Sequence, residues 1–113
     1  MKGWRRMSLK LNPNTKQITI PRGDTGKFKM TFIPDGIPYE MSSGDTIEFQ
    51  LKRSHESTET LFTKSFTTNP FVVTILPADT VNLAFGNYEY SLKFIAANGE
   101  VHTFLDNRVF TVE

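Results

Sequence analysis

From Gly86 to Phe94 the chain alternates with a period of two. Tyr88, Tyr90, Leu92 and Phe94 are bulky, and Glu89, Ser91 and Lys93 between them are polar. A β-strand turns that spacing into one dry face and one wet face, whereas a helix would scatter the four bulky groups around its circumference. Burying four such side chains contributes roughly 6–12 kcal/mol, at about 1.5–3 each, comparable to the roughly 5–15 kcal/mol that a whole domain nets. This strand is therefore expected to be central.

The same alternation recurs along the chain. Gln17–Ile20 reads as a short strand closed by Pro21 and Gly23, and it and Leu61–Phe66 are expected at sheet edges. Over 24–33, Phe28, Met30 and Phe32 fall on one face and Lys27, Lys29 and Thr31 on the other. Pro34-Asp35-Gly36 is a turn in which proline presets φ and glycine accepts a positive φ. The connection 37–43 offers Tyr39 and Met41 to cover the end of the core. Over 45–53, Ile47, Phe49 and Leu51 point one way and Glu48, Gln50 and Lys52 the other. Leu61–Phe66 is a weaker strand with Phe62 and Phe66 inward, and Asn69-Pro70 breaks the chain before Phe71, Val73 and Ile75 alternate again. Pro77–Phe85 holds the one helical turn the pattern predicts, with Pro77 in the first turn and Asp79 or Thr80 as cap. Asn98-Gly99 is a strong hairpin signal, and the last strands, 100–105 and 108–112, are expected to break or bulge at Asp106-Asn107.

About seven short strands separated by turn residues predict an all-β fold, an immunoglobulin-like two-sheet antiparallel β-sandwich, with a small closed barrel as the runner-up. In such sandwiches a tyrosine near the start of the sixth strand bonds its hydroxyl to backbone a few residues upstream. Tyr88 occupies that place. Tyr90 stands where a disulfide-linked sandwich carries a cysteine, so packing has to replace the bridge. Residues 1–15 read as an N-terminal arm ending in Asn12-Pro13-Asn14, and 16–113 as one domain.

Composition narrows the chemistry. The 113 residues carry 13 Lys and Arg against 12 Asp and Glu, a net charge of +1, and no cysteine. One domain of this size builds a core without disulfides. The bases alternate with the aromatics along each strand and gather on no face or stripe, so nucleic acid is not expected as a partner. No apolar run approaches the roughly 20 residues of a spanning helix, so no membrane partner is expected. The start of the chain, with Lys2, Arg5 and Arg6 but no apolar stretch, does not read as a signal peptide.

No catalytic, cofactor-binding or metal-binding residues are expected, and the chain is not read as an enzyme. His55 falls in a loop and His102 on a strand, without metal-ligand spacing. Asp24-Thr25, Asp45-Thr46 and Asp79-Thr80 read as turn and strand-entry residues that bond nearby backbone, and no stretch has the ligand density of a calcium loop. There is no GxSxG or GxGxxG motif. Arg22-Gly23-Asp24 matches an integrin tripeptide but sits at a turn that needs its glycine. The arm's Trp4, Arg5 and Arg6 are the candidate partner-binding residues, because tryptophan and arginine are enriched at interface hot spots.

Several stretches carry a family likeness. They are Ile18-Thr19-Ile20-Pro21-Arg22-Gly23-Asp24-Thr25-Gly26, Gly44-Asp45-Thr46-Ile47-Glu48-Phe49-Gln50-Leu51-Lys52, Asp79-Thr80…Leu83…Gly86-Asn87-Tyr88-Glu89-Tyr90, Asn98-Gly99-Glu100-Val101-His102-Thr103 and Val109-Phe110-Thr111-Val112. Together they resemble the amino-terminal β-sandwich domain of baseplate upper proteins of phages and prophages of Gram-positive bacteria, over 16–113. The resemblance implies a non-enzymatic virion component of the tail or baseplate, located in the virion or in the host bacterial cytoplasm. It would act by self-association or by docking to other phage structural proteins, without a cofactor. No helical or receptor-binding portion is expected after the sandwich, so receptor recognition is not expected of it. The alternative is a carbohydrate-binding or adhesion-type sandwich, which would want a flat platform of exposed aromatics; Trp4, Tyr39 and Phe104 are the candidates.

Overall fold

The structure, a computed structural model, describes residues 9–54 and 56–113. Its elements in chain order are β1 (Lys10–Leu11), β2 (Ile18–Ile20), β3 (Gly26–Met30), β4 (Thr46–Lys52), β5 (Thr60–Phe66), β6 (Phe71–Ile75), the helical turn α1 (Pro77–Thr80), β7 (Gly86–Ile95) and β8 (Val101–Val112). They form a six-stranded sheet in the order β1-β2-β8-β7-β4-β5 and a two-stranded sheet of β3 and β6. The expectation of an all-β chain in two sheets holds.

The core lies between the sheets and is built by the alternation. Ile47, Phe49 and Leu51 of β4 are all fully buried, as are Phe71, Val73 and Ile75 of β6. The four bulky groups of β7 point inward together, each at most 5% exposed. Phe28 of the small sheet meets Phe49 of the large one edge-on at 6.2 Å, and the Tyr90 ring stacks on Phe49 at 5.1 Å. β7 sits between β8 and β4, as its content of buried side chains required.

Both tyrosine hydroxyls of β7 are anchored to backbone. Tyr88 donates to the Ala84 carbonyl, four residues upstream, at 2.7 Å. Tyr90 donates to the Lys16 carbonyl at 2.5 Å, tying the centre of the sheet to the turn ahead of β2. Burial pushes the Tyr90 hydroxyl well above its ordinary pKa, with Arg108 pulling weakly the other way, so it stays a donor.

Three expectations are corrected, and a fourth is narrowed. The sheet is not wholly antiparallel, because β2 pairs in parallel with β8 through Ile18–Phe110 and Ile20–Val112. Nearly the whole domain serves as the crossover that a parallel pair requires. Gln17–Ile20 is not an edge, because β1 covers it through Lys10–Thr19 and Leu11–Ile18. Sheet pairing thus begins inside the stretch read as arm. The strand expected over 24–33 stops at Met30, because the Phe32 N–H is taken by the Asn69 side chain and its carbonyl by Asn69 and the Tyr39 N–H instead of a neighbouring strand. Of the break or bulge expected at Asp106-Asn107 the structure shows the bulge, and the last two segments form one strand, β8. Tyr90 pairs with Arg108, Leu92 with Leu105 and Lys93 with Thr103, so β8 accommodates two extra residues against β7. Asn107 takes the left-handed conformation, φ 53°, that such a bulge needs and that asparagine tolerates.

Strand directions give the molecule two ends. Ile20, Gly26, Ile75, Gly86 and Val112 mark one, where 53–59 and 76–85 connect the strands. Met30, Phe71, Thr46, Ile95 and Val101 mark the other, where 31–45, 67–70 and 96–100 do so.

Candidate functional site

At the second end the long connection between β3 and β4 is folded against its neighbours by two polar side chains. Asn69 is the first. Its amide nitrogen donates to the Phe32 carbonyl at 3.0 Å and the Tyr39 carbonyl at 2.7 Å, and its oxygen accepts from the Phe32 N–H at 2.9 Å. One amide thereby supplies three bonds that an adjacent strand would otherwise give. The peptide bond from Asn69 to Pro70 is cis.

Asp45 is the second. Its carboxylate accepts from the Ser42 N–H at 2.9 Å, the Ala97 N–H at 3.0 Å and the Tyr39 hydroxyl at 3.3 Å. It joins the entry of β4 to the β7–β8 hairpin loop. The Ser42 N–H above all, with Ala97 and Tyr39 assisting, holds its carboxyl below the usual range although burial opposes this. Burial, the Asp45 charge and their hydrogen bond together push the Tyr39 hydroxyl up. Under these locks lies an aromatic cluster. Phe32 stacks on Phe94 at 5.0 Å and meets Phe104 at 4.6 Å, and Tyr39 meets Phe94 at 4.9 Å.

Between the locked connection and the β5–β6 turn lies a cleft of about 720 Å³, walled by residues 34, 35, 37–41 and 67–69. Its volume is in the range of about 300–1,000 Å³ typical of ligand sites. Its apolar surface comes from Pro34, Ile37, Pro38 and Met41, and Ile37 is 71% exposed. The charges in its lining are the carboxylates Asp35 and Glu40, with no base among them. Gly36, at φ 85°, makes the turn that sets Asp35 at the rim, as the Pro-Asp-Gly pattern required.

The first end is organised differently. Asp79 accepts the Leu76 N–H at 2.7 Å and pairs with Lys64 at 2.7 Å, capping α1 from inside its first turn and not from the capping position itself. Thr80 is fully buried and its hydroxyl accepts the Gly23 N–H at 2.9 Å. Two of the three Asp-Thr pairs thus serve backbone, as expected. The Arg22 guanidinium lies 4.2 Å over the ring of Phe85, which is 64% exposed beside the exposed Val81.

The outer face of the large sheet is polar. A shallow groove of about 330 Å³ there is lined by Gln50, Lys52, Glu89, Lys93, Asp106 and Asn107, among others, and mixes both signs of charge. The edge strand β5 is blunted. Lys64 stands opposite Phe49, on the inward face, and reaches Asp79. An inward charge on an edge discourages strand addition.

Of the residues singled out in the sequence, Tyr39 and Phe104 lie in the aromatic cluster at one end of the core and form no flat platform. His102 is at the rim, 3.6 Å from Glu100. Trp4, Arg5, Arg6 and His55 lie outside the described residues. Among the described residues no cluster of His, Cys, Asp or Glu could hold a metal ion, and no helix is long and apolar enough to cross a membrane. The cleft itself had no sequence signature. Asn69 read only as a chain breaker, and the Asp45–Ala97 bond spans 52 positions. No protein-family model, no curated protein and no solved structure matches the chain.

Proposed function

We propose that this chain is a non-enzymatic structural module of a tailed-phage or prophage tail or baseplate, working through contacts with copies of itself or with other virion proteins. One observation carries the reading. Seven large apolar side chains are exposed among the described residues, and six of them lie at the two ends of the molecule. Leu76, Val81 and Phe85 are at the first end, and Ile33, Ile37 and Val101 at the second. Exposed apolar groups rimmed by polar ones mark interaction surfaces, and their placement suits a module that joins its neighbours end-on.

The connectivity supports the immunoglobulin-like reading. β2, β8, β7, β4 and β5 lie side by side in one sheet, with β3 and β6 paired in the other. The parallel β2–β8 pair and the Tyr88 hydroxyl on upstream backbone support it as well. In this reading the module resides in the virion, or in the host bacterial cytoplasm before assembly. The flanking reading frames test the proposal. Tail and baseplate genes beside this one support it, and a metabolic operon overturns it. Specific binding on a glycan array would favour the carbohydrate-binding alternative.

A further inference from the structure

We infer that the cleft at the second end receives the basic N-terminal arm, Met1–Ser8, of another copy of this chain, joining copies head to tail. The inference rests on the assembly reading above and names its contact. Charge is the first argument. The cleft lining offers Asp35 and Glu40 with no base, and the arm offers Lys2, Arg5 and Arg6 with no acid. Chemistry is the second. Pro34, Ile37, Pro38 and Met41 form an apolar floor suited to the Trp4 indole, and an indole flanked by guanidinium groups is the composition of an interface hot spot.

Geometry is the third argument. Leu9, the first described residue, lies against Gly26 and Ile20: a Cβ on Gly26 would sit 2.6 Å from Leu9 Cβ and 2.9 Å from Ile20 Cδ1. β1 then runs from the level of Thr19 toward Ile18, away from the first end. The cleft lies beyond Met30 and Phe71, which pair at the far end of β3 and β6. Leu9, from which the arm departs, and the cleft therefore lie toward opposite ends of the molecule, and β3 alone separates these levels by roughly 13 Å at about 3.3 Å per residue. To reach its own cleft, an arm would have to reverse at Leu9 and run back along the molecule. The arm of a neighbour stacked end-on needs no reversal. A contact between unlike surfaces is heterologous, so repetition closes a ring or extends a filament and does not stop at a two-fold dimer.

A charge swap tests this, with mass read by multi-angle light scattering and folding checked by far-ultraviolet dichroism. The wild-type chain should show a mass that rises with concentration past the dimer and falls as salt screens the contact. Arg5→Glu with Arg6→Glu should weaken association by about tenfold or more, and so should Asp35→Lys with Glu40→Lys. Asp35 and Glu40 are exposed, and the dichroism spectrum of each variant checks that its strands are kept. Mixing the two variants should restore assembly, because each then offers the other a complementary arm and cleft. Wild-type mass in both separate variants would overturn the arm–cleft contact while leaving self-assembly standing. Folded variants that stay monomeric on mixing would overturn the contact too. A wild-type chain that is monomeric at every concentration would overturn self-association itself.

Discussion

The middle of the molecule and its cleft end are held by different physics. In the middle, Phe49 is fully buried and touches Phe28, Phe62, Tyr90 and Phe110 through its ring, so stability there comes from apolar area and close packing. At the cleft end, a connection too irregular to pair with a strand is shaped by Asn69 and Asp45, whose polar atoms replace the missing strand partners. The contrast teaches that this chain spends alternation on its core and single polar side chains on its candidate site. Damage to the first should unfold the domain, and damage to the second should loosen one end of it.

Phe49→Ala is the largest test. It should cost about 3–5 kcal/mol in urea unfolding, as large aromatic truncations in cores do, and should broaden signals from both sheets. Asn69→Ala should cost about 1–3 kcal/mol, because the Phe32 N–H and the Tyr39 carbonyl lose the Asn69 amide, while the Phe32 carbonyl keeps the Tyr39 N–H. Hydrogen exchange should speed up first at Phe32, with the β4 and β7 amides still protected; loss of protection across all strands at once would erase the distinction between the two regions. Gly26→Ala carries the comparison to the first end. A methyl there would lie 2.6 Å from Leu9 Cβ, and overpacking of this kind costs about 1–3 kcal/mol. Tyr88→Phe should be smaller, about 0.5–1.5 kcal/mol for one hydrogen bond, read as a lower Tm with the strand content unchanged.

The smallest effect concerns acid. The Asp45 carboxyl titrates below its ordinary range because of the Ser42, Ala97 and Tyr39 donors. Its native value thus lies below the unfolded one, about 3.9. The stability it contributes is full above that pH and is lost as pH falls through the native value. Asp45→Asn should flatten that acid limb, and Ala97 amide exchange should report the loosening before the core does. An unchanged acid limb in the variant would remove Asp45 from its assigned role.

The inference from alternation to core succeeded wherever the residues between two turns face a second sheet. Phe28, Phe49, Val73, Leu92 and Phe110 are buried as their spacing required. It missed the parallel β2–β8 pair, because alternation says which face is dry and nothing about which strand lies alongside. It missed β1 because two residues are too few to show a period. It left a break or a bulge open at Asp106-Asn107, and β8 bulges there and keeps its pairing with β7. Sequence alone also offered the arm's Trp4, Arg5 and Arg6 as the partner-binding residues, and supplied no surface to receive them.

By itself the sequence determined that this is an all-β chain, which side chains form its interior, and where most of its turns fall. Those properties depend on neighbours one to four residues apart, where pleat and turn geometry act. Only the tertiary structure decided the order of strands in the sheets, the locks made by Asn69 and Asp45, and the separation of Leu9 and the acidic cleft toward opposite ends. Each of those depends on groups that are distant along the chain and that packing alone brings within hydrogen-bonding range or sets apart.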